Sequence, residues 1–467
     1  MRTHIGDIVQ KEGQSVEIFG WVHARRDHGK LVFIDLRDRS GLAQVVFGPN
    51  VKNASELRLE YVVKVKGVVQ KRPPNMVNDK VPTGHYEVSG TELEILSVAE
   101  PLPLPVDTDG YEIDEEVRMK YRYLDLRRER MKNNLILRDK VATLVRNYFH
   151  ENGFIEVETP MLTKTSPEGA RDFLVPSRFH QGKFYALPQA PQQYKQLLMI
   201  AGVERYFQIA RAMRDEDLRG DRQFEHTQID LEMSFTTEQG VRDMVEGLMI
   251  AVAEACGKKI WQKPFPVFTH EEAMAKFGAD KFNLAWDKSS GEANPADQDV
   301  LAFAWVVDFP LFEKDEESGR ITFAHNPFSA PKADAVEKVM KGEDLLNLRA
   351  QQYDLVCNGL EMGSGGVRIS DPKVQQKVFE IMGLTPEQIE SRFGHILKAY
   401  HFGAPPHAGM AVGLDRLVTV LAKEPNIREV IAFPVSASGQ TSVMDAPSEV
   451  DKKQLDELGL ELKKPKK

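Results

Sequence analysis

Alternating apolar and polar positions dominate the first hundred residues. Between residues 15 and 100 they form five short runs separated by Gly, Pro and Asn, which is the two-residue period of half-buried strands. Five strands in so short a stretch match the OB-fold, a small barrel whose surface commonly binds oligonucleotides. We therefore predict an N-terminal β-barrel.

The pattern changes after a proline-spaced segment at 99–110. Residues 132–153 carry apolar side chains at helical spacing and end at Gly153, which predicts an amphipathic helix, followed by a strand that ends at Pro160. Further elements are predicted as strands at 205–214 and 226–235, helices at 237–256 and 269–278, and a strand-to-helix unit at 403–422. No βαβ repeat is present, so we expect an α+β fold with a largely antiparallel sheet flanked by helices.

These changes of pattern also predict the domain organisation. We expect the barrel over 1–107, a linker over 108–130, an α+β domain over 131–450 with a short surface connection at 287–300, and a basic tail over 451–467.

Composition narrows the class of protein. The chain has 467 residues, with 42% hydrophobic and 28% charged residues, as in ordinary folded proteins. Its two cysteines, Cys256 and Cys357, form no ligand-spaced cluster, which argues against a disulfide framework or zinc site and favours the cytoplasm. No apolar run is long enough to span a membrane. GxxxxGK[ST] and GxGxxG are both missing, so P-loop and Rossmann nucleotide sites are not supported.

Charge is unevenly distributed along the chain. The net charge of −9 argues against indiscriminate binding to nucleic acid. Residues 1–107 are neutral, and residues 118–140 contain nine Lys or Arg. This basic stretch predicts either a surface that holds a polyanion or a solvated charged face.

The strand predicted at 226–235 has polar side chains on one face and apolar side chains on the other. Gln228, Asp230 and Glu232 share a face, which we expect to be in contact with water. Arg214 ends the preceding strand, beside the charged loop 215–222, where its planar guanidinium suits the oxygens of a triphosphate. A surface hairpin with scattered ion pairs is the alternative.

A second group of candidate residues lies downstream. Glu361 and Arg368 flank three glycines, Gly363, Gly365 and Gly366, which we expect to let the backbone approach a ligand. Asp354 together with Glu361 offers the hard oxygen ligands that Mg²⁺ prefers.

Arg416 falls in the first turn of the helix predicted to begin near Leu414, a position that favours an anion, although an ordinary helix start is the alternative. Arginines, paired carboxylates and a polar strand face suit nucleotidyl transfer. In that reaction a substrate carboxylate attacks the α-phosphorus of ATP and pyrophosphate leaves, so the protein acts by orientation and charge stabilisation.

These segments resemble the three motifs of class II aminoacyl-tRNA synthetases. TPMLTKTSPEGARDFLVPSR, FYALPQAPQQYKQLLM, RDEDLRGDRQFEHTQID, EMGSGGVRI and GLDRL are similar to bacterial-type aspartyl-tRNA synthetases of class IIb, and the likeness covers nearly the whole chain. The resemblance implies an aspartate–tRNA ligase that forms aspartyl-adenylate from L-aspartate and ATP and esterifies tRNA(Asp). It also implies a homodimer built by the first motif.

The resemblance assigns roles residue by residue. It implies catalytic roles for Arg214, Glu361 and Arg416. For ATP it implies Arg214, Asp215, Glu216, Gln223, Glu361, Gly413, Leu414, Asp415 and Arg416, with Mg²⁺ held by Asp354 and Glu361. For aspartate it implies Glu168, Gln192, Lys195, Asp230, His325 and Arg368. For the anticodon it implies Arg26, His28, Phe33, Gln44, Arg72 and Glu87.

Two of these roles carry physical arguments. Lys195 and Arg368 around a β-carboxylate would reject the neutral amide of asparagine, since an amide would leave buried charge uncompensated. Phe33 suits stacking on an unpaired base, with a core aromatic as the alternative.

The chain departs from the family pattern in several places. Relatives usually carry an inserted domain between the second and third motifs, where this chain has only 287–300. FEH at 224–226 replaces the more frequent PEF, and Asn326 follows His325 where paired histidines are frequent.

His28 resembles the form found in members that charge both tRNA(Asp) and tRNA(Asn), with an exposed turn histidine as the alternative. We therefore expect the enzyme to charge tRNA(Asn) as well as tRNA(Asp). The competing functions are a strictly tRNA(Asp)-specific enzyme, an asparaginyl-tRNA synthetase and a non-catalytic RNA-binding paralogue.

Overall fold

The computed structural model describes residues 2–165, 169–284, 299–315 and 319–463. These residues form two compact units, Met1–Ile113 and Asp114–Lys467. Most of the connection predicted at 287–300, and the end of the basic tail, lie outside the described residues.

The first unit is a closed five-stranded barrel, as the alternation predicts. Its strands are β1 (Ser15–His28), β2 (Leu31–Asp38), β3 (Gly41–Phe47), β4 (Val62–Lys71) and β5 (Tyr86–Ser97). They pair in the order β1-β2-β3-β5-β4 and close through β1 and β4. Alternate residues such as Val16, Ile18 and Val22 fill the interior, so the opposite face of each strand is left for contacts outside the barrel.

A mixed eight-stranded sheet supports the second unit. The strands of this unit are β6 (Ile155–Glu156), β7 (Leu174–Pro176), β8 (Phe184–Ala186), β9 (Arg205–Met213), β10 (Glu225–Ser234), β11 (Lys259–Ile260), β12 (Val267–Thr269), β13 (Val300–Leu301), β14 (Phe303–Val307), β15 (Phe312–Lys314), β16 (Ile321–Phe323), β17 (Gln352–Cys357), β18 (Leu360–Val367) and β19 (His407–Gly413). The sheet order is β12-β14-β17-β18-β19-β10-β9-β6. Its interior pairs are antiparallel, as predicted, and both edge pairs are parallel.

The described part of the second unit also contains helices, several of which pack against this sheet. They are α1 (Glu115–Lys120), α2 (Arg122–Asp125), α3 (Glu129–Glu151), α4 (Gln192–Ile200), α5 (Glu238–Ala255), α6 (His270–Phe277), α7 (Val336–Lys341), α8 (Pro372–Ile381), α9 (Pro386–Tyr400), α10 (Leu414–Ala422) and α11 (Lys452–Leu458). Val141, Val145 and Phe149 of α3 join the core beneath the sheet, and Gly153 at φ 76° follows the helix end. None of these helices, in the described part of the chain, is long and apolar enough to cross a bilayer.

Part of the basic stretch at 118–140 is buried, which neither a polyanion surface nor a solvated face would require. Arg118, Arg122 and Arg128 are buried, and all three guanidinium groups donate to the carboxylate of Asp125. Arg118 also pairs with Glu429 at 2.6 Å. The carboxylates that neutralise these arginines come partly from another region of the sequence, so charge counting along 118–140 missed them. Residues 114–130, expected as linker, therefore belong to the second unit.

Candidate active site

Four neighbouring strands place small and polar residues in one row. Asp230 on β10 lies opposite Ala411 on β19, which lies opposite Ser364 on β18, which lies opposite Asp354 on β17. Residues paired in this way point to the same face of a sheet. Because Ala411 is small, the centre of this row stays open and forms the floor of a cavity.

The polar face of β10 is buried, which corrects the expectation that it would be wet. Gln228 is 4% exposed, and Asp230 and Glu232 are fully buried. A buried polar group is costly unless it is hydrogen-bonded, so each of these side chains needs a partner within the protein.

Those partners form a continuous chain of hydrogen bonds along the face. Nε2 of His226 donates to Oε1 of Gln228 over 3.3 Å, and Nε2 of Gln228 donates to Oδ2 of Asp230 over 2.6 Å. Nζ of Lys195, on α4, then lies 3.1 Å from Asp230 and 3.3 Å from Glu232. The first residue of this chain is uncharged, because burial and the neighbouring Arg214 lower the pKa of His226 to about 3.

Arg368 completes the chain at its far end. Its guanidinium donates to Glu232 over 2.8 and 3.2 Å. Although burial favours the protonated acid, Arg368 and Lys195 hold the pKa of Glu232 below its usual range.

Two buried cations, Lys195 and Arg368, thus face two buried carboxylates, Asp230 and Glu232. The sequence argument for rejecting asparagine assumed that the cations would be uncompensated without a ligand. The structure corrects that assumption, because the charges already balance.

A first cavity lies at the end of the row nearest α10. We call it the Arg416 cavity. Nη1 of Arg416 donates to the backbone carbonyl of Glu361 over 2.8 Å, and Nη2 pairs with Asp221 at 3.1 Å. The lining residues are Arg214, Glu216, Asp221, Arg222, Gln223, His226, Thr227, Gln228, Glu361, Met362, Gly363, Ser364, Ala411, Gly413, Asp415, Arg416 and Ile427. Three arginines and four acidic residues therefore line the cavity. It opens at the N-terminus of α10, where the peptide dipoles favour an anion.

A second cavity, the Lys195 cavity, adjoins the first. It is lined by Ala190, Gln192, Lys195, Arg214, Gln228, Asp230, His325, Asn326, Pro327, Gln352, Glu361, Ser364, Gly365, Arg368 and Ala411. Five residues line both cavities, namely Arg214, Gln228, Glu361, Ser364 and Ala411. The two cavities therefore share a boundary, and the guanidinium-bearing residue on that boundary is Arg214.

Glu361 and Asp354 are close enough to influence each other's charge. Burial, together with the charge of Glu361, raises the pKa of Asp354 well above its usual range. Burial also disfavours ionised Glu361, but Arg416 and Lys281 hold its pKa below the usual range. Nζ of Lys281 lies 2.7 Å from Glu361. Within the described residues no group of three His, Cys, Asp or Glu is arranged to hold a metal by itself.

Some predicted ligand residues have internal partners. Both oxygens of Asp415 are engaged, one by Arg138 at 2.5 Å and one by the backbone N–H of Thr227 at 2.7 Å. This carboxylate therefore ties α10 to α3 and β10. Oε1 of Gln223 accepts from the backbone of Val435. Both side chains still border the Arg416 cavity, but Asp215 borders neither cavity.

One predicted residue, Gln192, has a side-chain amide that, in the part of the chain described, is still free to donate a hydrogen bond to a ligand. Nε2 of Gln192 is buried without a hydrogen-bond partner in the described structure, in the wall of the Lys195 cavity. His325 borders the same cavity, and burial lowers its pKa. Glu168 lies outside the described residues.

The glycines of β18 serve packing within the protein. A side chain at Gly363 would collide with the backbone of Ala411, and one at Gly366 would meet Oγ of Ser329 at 2.8 Å. One at Gly365 would collide with the ring of Tyr353. Packing therefore requires glycine at all three positions. Gly363 and Gly365 also border the cavities, so the expectation that they let a ligand approach stays a prediction.

Three residues of the site escaped the sequence analysis. His226 continues the alternation of the β10 polar face, so its place on that face could have been predicted from the sequence. Ser364 lies opposite Ala411, and this pairing can be recognised only once the order of strands in the sheet is known. Lys281 follows α6 with no recognisable motif, and only the structure brings it to Glu361.

The outer face of the barrel carries a separate cavity. It is lined by Arg26, His28, Phe33, Asp35, Leu42, Ala43, Gln44, Arg72, Met76, Asn78 and Val81. Phe33 lies on this outer face and is only partly buried, so the core-aromatic alternative is not supported. The ring of His28 meets Phe33 edge-on, with centroids 6.3 Å apart. Glu87 accepts hydrogen bonds from the side-chain amides of Gln44 and Gln70, next to this cavity.

Comparison with known proteins identifies the family. A model of the tRNA synthetases class II (D, K and N) matches residues 114–437, and an OB-fold nucleic acid binding domain matches residues 16–96. The chain belongs to the class II tRNA synthetases. This synthetase is 42% identical to the aspartate–tRNA(Asp/Asn) ligase of Rubrobacter xylanophilus, over 99% of this chain and 97% of that protein. It is 38% identical to the aspartate–tRNA ligase of Staphylococcus saprophyticus, over 96% and 97%.

Solved structures agree on the fold. The aspartyl tRNA synthetase of Entamoeba histolytica superposes with a TM-score of 0.73 at 20% identity, over 93% of this chain and 91% of that one. The asparaginyl-tRNA synthetase of Pyrococcus horikoshii, complexed with asparaginyl-adenylate, superposes at 0.72 and 21%, over 93% and 98%. The alignment to the Rubrobacter relative spans 584 positions, and this synthetase has 467 residues, so at least 117 positions (584 less 467) have no counterpart here.

Proposed function

We propose that this synthetase is an aspartate–tRNA ligase. It activates L-aspartate with ATP and transfers the aspartyl group to the 3′ end of tRNA. The observation that carries the proposal is the pair of adjoining cavities with Arg214 on their boundary, one rich in arginine and the other holding Lys195 and Arg368. An aminoacyl-adenylate has a matching shape, with a nucleotide at one end and an amino acid at the other.

ATP occupies the Arg416 cavity in this proposal. Arg214 and Arg416 contact its phosphates, and the start of α10 at Gly413 and Leu414 directs peptide dipoles toward them. The loop between β9 and β10 supplies the remaining contacts, for which we propose Asp215, Glu216 and Gln223. Asp415 holds the helix in place through its two internal hydrogen bonds.

The first reaction needs no protein nucleophile. An oxygen of the α-carboxylate of aspartate bonds to the α-phosphorus of ATP, the bond to the β-phosphate oxygen breaks, and pyrophosphate leaves with that electron pair. Arg214 lies where the two substrates meet, so its charge can stabilise the crowded phosphorus centre in the transition state. Orientation by the two cavities supplies the rest.

Magnesium fits the carboxylates of Asp354 and Glu361. Burial, and after it the charge of Glu361, raises the pKa of Asp354, and a hard divalent cation between the two carboxylates would offset both effects. Two carboxylates are also what Mg²⁺ takes from proteins when substrate phosphates provide further ligands. When bound, the ion would neutralise phosphate charge.

Aspartate occupies the Lys195 cavity. We propose that Lys195 and Arg368 hold its side-chain carboxylate, that Gln192 and Asp230 hold its ammonium group, and that His325 covers it. Glu168 is assigned to the same pocket from the family resemblance. Asparagine is the competing substrate, because Asp230 and Glu232 already neutralise the two cations.

The barrel face binds the anticodon in this proposal. Phe33 stacks on an unpaired base, and Arg26, Gln44, Arg72 and Glu87 surround it with hydrogen-bonding groups. His28 touches Phe33 edge-on and lies at the rim, where it can influence the choice of one base. We propose that tRNA(Asn) is charged as well as tRNA(Asp).

We also propose a homodimer in the cytoplasm. Ile136, Ile155 and Leu162 lie in and just after the helix and strand that end at Pro160, which resemble the first motif, and each exposes more than half of its surface. Partly apolar surfaces of this kind suit a subunit interface. The free thiols of Cys256 and Cys357 are compatible with a reducing compartment. Light scattering that gives the mass of one chain at micromolar concentration would contradict the dimer.

Two assays test the function. Exchange of labelled pyrophosphate into ATP is expected with aspartate and roughly 10- to 150-fold weaker with asparagine, because the amide lacks a charged hydrogen bond worth about 1.5–3 kcal/mol. Equal exchange, or exchange with asparagine alone, would contradict the substrate. Aminoacylation of purified tRNA(Asp) and tRNA(Asn) is expected with both, and charging confined to tRNA(Asp) would contradict the relaxed choice.

A further inference from the structure

A third cavity lies on the other side of α4 from the Lys195 cavity. It has a volume of about 250 Å³. Ala190 lines both cavities, so the two are immediate neighbours. The lining residues are Thr163, Lys164, Thr165, Pro188, Ala190, Gln193, Tyr194, Leu197, Arg392 and His395. Neighbouring residues of α4 line different cavities, since Gln192 borders the Lys195 cavity and Gln193 borders the third.

The third cavity carries two cations, Lys164 and Arg392, that have no carboxylate partner among the described residues. Neither Lys164 nor Arg392 forms an ion pair with any acidic residue that the structure describes. Nζ of Lys164 donates to the backbone carbonyl of Ser391, which holds it beside α9. In the Lys195 cavity, by contrast, both Lys195 and Arg368 have carboxylate partners. Uncompensated cations in a concave site attract an anion.

A second feature suits a ligand that carries hydroxyl groups. Oε1 of Gln193 is buried and, within the described structure, accepts no hydrogen bond. Tyr194 and Thr163 are already engaged with each other at 2.9 Å, so they do not satisfy it. A buried acceptor of this kind favours a ligand that brings its own donor. Cations for phosphate and an acceptor for a sugar hydroxyl together describe a nucleotide.

We propose that the third cavity takes the sugar-phosphate backbone of the single-stranded 3′ end of tRNA. Lys164 and Arg392 contact a phosphodiester, and Gln193 accepts from a ribose hydroxyl. The inference rests on the proposed function, because the transfer step requires the terminal ribose to reach the aminoacyl group in the adjoining cavity. Free pyrophosphate is the other source of the same phosphate chemistry.

The test compares Lys164→Gln, Arg392→Gln and the double variant with Lys398→Gln, an exposed lysine on the same helix as Arg392. Two rates are measured for each enzyme, pyrophosphate exchange and single-turnover transfer from preformed aspartyl-adenylate to tRNA. The ratio of transfer to exchange is expected to fall about tenfold in the double variant, with no change in Lys398→Gln. The slope of log Kd for tRNA against log salt should fall by about 0.7 for each phosphate contact removed.

Two outcomes would overturn the inference. One is a transfer-to-exchange ratio within twofold of the parent together with an unchanged salt slope. The other is a raised KM for pyrophosphate in exchange with tRNA transfer intact, which would assign the cavity to free pyrophosphate. Failure of the proposed function looks different, because it would abolish aspartate-dependent exchange in the parent enzyme.

Discussion

Replacing Arg368 by methionine separates its structural role from its role in binding substrate. The side chain is 2% exposed and donates twice to fully buried Glu232. Without it, Asp230 and Glu232 would share Lys195 as the one cation within ion-pair distance in the described structure. Removing one partner of a buried ion pair typically lowers the free energy of unfolding by about 3–5 kcal/mol, and we expect that loss here.

A double variant, Arg368→Met with Glu232→Gln, removes both charges at once. No buried charge is then left unpaired, so most of the lost stability should return. Aspartate-dependent exchange should not return, since the cation for the substrate carboxylate is still missing. A hydrogen bond to a charged group is worth about 1.5–3 kcal/mol, which corresponds to a loss of roughly 10- to 150-fold in kcat/KM for aspartate.

Urea denaturation followed by circular dichroism gives the stabilities, and pyrophosphate exchange over a range of aspartate concentrations gives the kinetics. Arg349→Met is the matched control, because its ion pair with Glu271 is solvent-exposed at 3.8 Å and should contribute less than about 1 kcal/mol. The reasoning is refuted if the double variant keeps a KM for aspartate within twofold of the parent value.

Three further outcomes are expected. Asp125→Asn should destabilise the second unit in urea at pH 7. Arg118 and Arg128 outweigh burial and hold the pKa of Asp125 below its usual range of about 3.9, so its contribution is present above that pH and is lost as the pH falls through the lower folded value. The difference between variant and parent should therefore shrink in acid, and a constant difference down to pH 2 would count against this account. We expect aspartate and an ATP analogue to bind more tightly together than alone, as measured by calorimetry. His226→Phe should weaken this cooperativity, because it breaks the hydrogen bond between His226 and Gln228 on β10. Unchanged cooperativity would exclude coupling through that bond. Phe33→Ala should weaken tRNA binding by about 1–3 kcal/mol in a filter assay, and unchanged affinity would remove the stacking role.

Local patterns predicted the elements well where the pattern itself decides the structure. The barrel strands follow from alternation, and the helix at Leu414 follows from the end of a glycine-punctuated strand. The alternation along β10 also identified which residues share a face. It could not tell what covers that face, because Lys195 and Arg368 come from α4 and from the end of β18, far away in sequence.

Charge patterns were the weakest guide for the same reason. The arginines at 118–128 are basic in sequence, yet Asp125 and Glu429 neutralise them in a buried cluster. The family motifs located Arg214, Glu361 and Arg416, but Lys281 reaches Glu361 only through the fold. A residue whose partner is distant in sequence leaves no local signal.

Calorimetric titration with a non-hydrolysable aspartyl-adenylate analogue tests most directly whether the two cavities form one site. The analogue should bind once per chain, at least about 100-fold more tightly than aspartate or AMP alone, because each half adds to the effective concentration of the other. Both aspartate and AMP should displace it. Independent binding of aspartate or AMP to the enzyme already saturated with analogue would contradict a shared site.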